Sequence, residues 1–159
     1  MVRKVRAFVA TALLLVFLVA CQSAEQRLEG TSEKLPIPSD TAVLASETYE
    51  RQGSEDACFF TTLTQLYGTN LSYEEVKDFY TAELTDNEWV QESSSGLSEM
   101  SLAFRHGGDY ALAISDVTSN EYIVKQFKSV KDDQLKSYLT LYTVTLNYAD
   151  WIAQRFCPE

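Results

Sequence analysis

The chain has 159 residues, 45% of them hydrophobic, with a formal net charge of −10. That length suits one folded domain with an appendage, and the composition is too apolar for a wholly disordered chain. Beyond the first twenty residues, ten basic side chains stand against 23 acidic ones, a balance of −13, which argues against nucleic-acid binding and against charge-driven attachment to anionic lipid.

Residues 1–20 have three parts. "MVRKVR" is basic, "AFVATALLLVFLVA" is an apolar run of about fourteen residues, and the run stops at Cys21. That length fits a secretory leader and is short for a membrane span, which needs about twenty residues. The last four positions, Leu18-Val19-Ala20-Cys21, resemble the lipobox of bacterial lipoproteins: a leucine, a small residue, then the cysteine. The resemblance implies a diacylglyceryl thioether on Cys21, cleavage just before it, and an extracytoplasmic protein held at the cell membrane or outer membrane. Gln22, next in the chain, does not favour inner-membrane retention under that family's sorting rule. Two or more acyl chains give durable attachment at about 0.8 kcal/mol per buried methylene.

With Cys21 lipidated, Cys58 and Cys157 remain as an even pair in an oxidising compartment. A Cys58–Cys157 disulfide is the expectation; two buried free thiols or a reactive thiol are the alternatives. Residues 21–37 read as a flexible tether: "QSAEQRLEGTSEK" is polar, without periodicity or aromatic side chains, and the prolines of "LPIPSD" end it. About fifteen such residues would span roughly 20 Å. A single domain over 38–159 follows.

Within the domain, "TAVLASETY" at 41–49 suggests a short strand and "ACFFTTLTQLY" at 57–67 a longer one. "LSYEEVKDFYTAEL" is a helix: Ser72 is the N-cap, Glu75 closes a capping box, and Leu71 and Val76 are placed as a hydrophobic staple. Tyr73, Val76, Phe79, Tyr80 and Leu84 form its apolar stripe. Asp86 and Asn87 suit the exit, with Asn87 able to take a left-handed conformation. "EWVQES" at 88–93 reads as a short strand. "EMSLAFRH" and "YALAISDV" alternate around "GGD" and predict a hairpin. Residues 119–137 fit no single pattern, and "YLTLYTVTLNY" at 138–148 is a final strand.

The fold expectation is α+β, a two-layer sandwich with one main helix on a four- to five-stranded antiparallel sheet. "LSYEEVKDFYTAELTDNEW", followed by the alternating hairpin, resembles small bacterial lipoproteins of unassigned function, and that resemblance brings no activity with it.

The chemistry-bearing residues are sparse. His106 is the single histidine and sits at a turn, without cysteine or carboxylate at zinc-ligand spacing. There is no nucleophile elbow, phosphate-cradling glycine loop or calcium loop. No catalytic residue, metal or cofactor is assigned from sequence. Tyr138, Tyr142 and Tyr148, placed on one strand face by even spacing, are either packing residues or a recognition surface. The functional expectation is a non-enzymatic, lipid-anchored binding module that takes an envelope protein or component on its uncovered sheet face. The alternatives are a small-ligand binder or hydrolase with a pocket between helix and sheet, and a structural envelope lipoprotein.

Overall fold

A computed structural model describes residues 23–51, 60–92 and 101–149. The expected leader, Cys21, Cys58 and Cys157 lie outside the described residues. The fold is α+β, built on an open sheet of six strands rather than four to five. The strands are β1 Thr41–Arg51, β2 Phe60–Thr69, β3 Val90–Gln91, β4 Ser101–His106, β5 Tyr110–Asp116 and β6 Thr140–Ala149, in the order β1-β2-β6-β5-β4-β3, with every pair antiparallel. The count exceeds four to five because every strand segment suggested by the sequence pairs, including the short edge strand Val90–Gln91 and the 41–49 segment, which runs eleven residues with an irregularity between Val43 and Ala45. No helix among the described residues is long and apolar enough to cross a membrane.

Two helices lie against the same face of the sheet. Helix α1, Ala24–Ser32, occupies the stretch expected to be a tether, so that expectation is corrected. Ser23 and Gln26 form a capping box, Ser23 N–H donating to Gln26 Oε1 and Gln26 N–H to Ser23 Oγ, each at 3.2 Å. So short a helix is marginal alone. Burial holds it: Leu28 is 0% exposed and Leu35, just after the helix, is also buried. Arg27 adds a long-range tie, its Nη1 donating to the Tyr148 hydroxyl at 2.9 Å.

Helix α2, Tyr73–Asp86, forms as its sequence requires. Glu75 N–H donates to Ser72 Oγ at 3.3 Å, and Ser72 N–H donates to Glu75 Oε2 at 2.8 Å. Val76, Tyr80 and Leu84 are buried, while Tyr73 and Phe79 are partly so. The exit differs from expectation. Asn87 has φ −104°, and Glu88 takes the left-handed conformation at φ 65°. That reversal turns Trp89 back into the core, where its N–H donates to the Leu84 carbonyl at 3.0 Å.

The helices and sheet bury one cluster that includes Leu28, Leu63, Tyr67, Tyr80, Phe104, Leu112, Ile114, Tyr142, Val144 and Leu146. On β4 and β5 these are the alternate residues that the sequence places inward. The opposite face carries a smaller cluster of Ala45, Leu66, Val117, Val124, Phe127 and Leu141. Its cover is the 117–139 segment, which contains α3 Glu121–Val124 and α4 Asp132–Leu135. Gly68 is fixed by this cover: an added Cβ would stand 2.5 Å from the Tyr138 ring.

Candidate functional site

The space between α2 and the sheet is filled by aromatic side chains. Tyr67 and Tyr142 stack with centroids 5.2 Å apart, and Tyr80 meets Tyr142 edge-on at 6.1 Å. The Tyr80 and Tyr142 hydroxyls are 3.5 Å apart, and the Tyr67 hydroxyl donates to Gln65 Oε1 at 2.8 Å. Burial pushes the Tyr67 pKa up to about 12 and raises those of Tyr80 and Tyr142, because the phenolate is poorly solvated there. Tyr73 is raised by burial and by the Asp116 carboxylate, and its hydroxyl donates to the Ile114 carbonyl at 2.9 Å. These phenols act as neutral packing and hydrogen-bonding groups.

Tyr138, Tyr142 and Tyr148 therefore do not share an exposed face. Tyr142 and Tyr148 are 0% and 4% exposed in the large cluster, whereas Tyr138 precedes β6 and packs in the small one, on the other side of the sheet. The even-spacing rule holds only inside the strand, and β6 starts at Thr140. His106 lies against Trp89 with ring centroids 5.1 Å apart, and its Nδ1 is 3.4 Å from the Glu88 carbonyl oxygen. Among the described residues no group of three His, Cys, Asp or Glu is placed to hold a metal ion.

Among the described residues, two cavities flank α3. One cavity of about 450 Å³ has a floor of Val124, Leu135, Tyr138 and Leu141 and a rim that includes Lys125, Lys136, Glu121 and Asp132. Lys125 Nζ donates to Glu121 Oε2 at 2.7 Å, which raises the lysine pKa and lowers that of the glutamate through the shared hydrogen bond and charge. A second cavity of about 390 Å³ lies on the other side of α3, lined by Ser101, Ser115, Asp116, Ser119 and Asn120 among others. The side chains are held by local turns. Asn120 Oδ1 accepts from Ile123 N–H, Asp116 Oδ1 from Thr118 N–H, and the Ser101 and Ser115 hydroxyls are 2.9 Å apart.

Beyond this cover the second sheet face stays partly exposed, and it is polar. Thr62 Oγ1 donates to Asn147 Oδ1 at 2.7 Å, and the Thr64 and Thr145 hydroxyls are 3.4 Å apart, beside Ala111 and Ala113 of β5. The cavities and this hydroxyl strip are continuous with one sheet face, and neither was located from sequence. A hint was present: Lys125, Lys128, Lys131 and Lys136 are four of the ten cations that follow residue 20. No family model matches the chain, and neither a curated protein nor a solved structure is found to be similar to it.

Proposed function

We propose that the chain is a lipid-anchored, extracytoplasmic binding module, held to the membrane through Cys21 and without a reaction of its own. Its partner, an envelope protein or component, docks on the second sheet face, at the 117–139 cover and the hydroxyl strip beside it. One observation carries the reading: this face combines an apolar-floored cavity, a charged rim and half-exposed hydroxyls, while the aromatic groups of the other face are packed away. Binding sites are built from such mixtures of apolar floor and few polar groups. Lys128 and Lys131 add exposed cationic groups to this surface, beside the acidic Glu121, Asp132 and Asp133, so a partner would meet charges of both signs there.

A second reading has the cavity itself in its favour, since about 450 Å³ is the size of a small-molecule site. It moves the pocket from between helix and sheet to the opposite face.

The test is capture from crosslinked membranes with the mature domain and a Lys128→Glu/Lys131→Glu variant. A partner retained by the first and lost from the second supports the proposal. Absence of any species enriched over an acidic control protein of matched charge refutes it. Thermal stabilisation by a small metabolite, abolished by Leu135→Trp, would favour the second reading.

A further inference from the structure

The placement of α1 gives the anchored protein a direction, an inference that rests on the lipid anchor proposed above. Ser23 caps a helix docked on the sheet, so only Gln22 separates it from Cys21, and two residue steps of chain reach about 7 Å. The attachment point is therefore close to the body of the fold, rather than at the end of a leash of roughly 20 Å.

The end of the sheet at which α1 begins is identifiable. Arg27, one turn into the helix, bonds Tyr148 and lays its guanidinium 5.6 Å from that ring's centre. Tyr148 pairs with Thr61 on one side and Tyr110 on the other. This end thus contains the start of β2, the end of β6 and the Gly107–Gly108 turn between β4 and β5. The chain then climbs to the opposite end, where the Asp40 carbonyl accepts from Thr69 Oγ1 at 3.3 Å. The 117–139 cover sits at that far end: the Leu141 carbonyl accepts from Val117 N–H at 2.9 Å, beside the start of β6. Ten-residue strands separate the two ends by roughly 30 Å.

We infer that the anchored domain stands with the Phe60–Ala149 end against the lipid headgroups and holds the 117–139 cover, with its four lysines and both cavities, on the side away from the bilayer. The short connection imposes this arrangement. Held as inferred, those lysines remain free for a soluble or opposing partner.

Energy transfer in vesicles tests the direction. The lipid-bearing protein is purified from membranes, its N-terminal mass is read first, and it is reconstituted in phosphatidylcholine vesicles doped with an acceptor-labelled lipid. A fluorescent amino acid is placed at the exposed position 108, where an added Cβ would meet nothing within 4 Å, or at the exposed position 128. Transfer severalfold greater from 108 than from 128 is expected, and fifteen Gly/Ser residues inserted between 22 and 23 should erase most of the difference. Equal transfer from the two positions in the unmodified spacing, or more from 128, overturns the orientation while leaving the anchor intact. Absence of lipid in the first mass measurement overturns the anchor and the orientation together, so the two failures are told apart before vesicles are added.

Discussion

Arg27 and Tyr148 are 121 residues apart in sequence and joined by a 2.9 Å hydrogen bond, with the guanidinium over the phenol ring. The contact ties the first helix to the last strand and makes α1 part of the domain. Leu28, fully buried one residue later, supplies the apolar share. Leu28→Ala should cost about 2–5 kcal/mol, the usual range for a leucine truncated in a core. Denaturant unfolding measures the loss. A cost near zero would mean that α1 does not pack on the sheet in solution.

Gly68 and Tyr138 form a close contact of the second kind, backbone against ring. Gly68→Ala would drive a methyl to 2.5 Å of that ring. About 1–3 kcal/mol of destabilisation is expected, as for other overpacked sites. In a Tyr138→Ala background the same change should cost much less, and a double-mutant cycle reads the coupling. Additive costs would show that the ring does not rest on Gly68.

Glu88 holds φ 65° without being glycine. Left-handed backbone costs a residue bearing a Cβ roughly 1 kcal/mol. Glu88→Gly should therefore leave stability unchanged or raise it, against the general trend for glycine substitutions, and thermal unfolding checks the sign. A clear fall in midpoint would assign the Glu88 side chain a role in the fold.

The Ser72–Glu75 capping box should be visible in the acid limb of stability. Glu75 accepts from Ser72 Oγ at 2.7 Å and from Ser72 N–H, and these bonds hold its carboxyl below the usual pKa. A depressed folded-state pKa contributes stability that is present above the unfolded glutamate pKa and lost as pH falls through the folded value. Unfolding midpoints across that acid range should fall less steeply for Glu75→Gln than for the parent. Parallel curves would contradict the linkage.

How much of this was legible in sequence depended on how local the signal was. The capping box at Ser72 and the alternation of Leu102, Phe104, Leu112 and Ile114 involve neighbours in the chain or in a tight hairpin, and both were read correctly. Helix α1 was missed because its apolar content amounts to little beyond Ala24 and Leu28, and its stability comes from docking on distant strands. The Ser23–Gln26 spacing was a usable signal that was passed over. The α3–α4 cover was illegible for a related reason: two four-residue helices carry no periodicity, and Val124 and Phe127 are specified by burial against Leu66 and Leu141. Hence the cavities around α3 could not be placed from sequence, and the Tyr138 parity argument failed once β6 began at Thr140 rather than at 138.

The two distal cysteines can be tested through the ends of the strands that precede or follow them. Phe60 pairs with Ala149, so the chain enters β2 beside the point where it leaves β6. Cys58 is two residues before the first, and Cys157 eight after the second. A Cys58–Cys157 bridge is proposed, worth up to about 4.7 kcal/mol by loop closure. Peptide mapping without reductant should recover the crosslinked pair, and reduction should lower the unfolding midpoint. Quantitative alkylation of both thiols in unreduced protein would exclude the bridge.

Lipid on Cys21 is proposed to hold this domain at a membrane, and the intact mass of the N-terminal peptide from native protein, taken with its distribution between membrane and soluble fractions, decides the matter. The expected result is a chain beginning at Cys21, heavier by a diacylglyceryl group, and found in the membrane fraction. A chain that retains residues 1–20, or one that begins at an unmodified Cys21 and stays soluble, would contradict it.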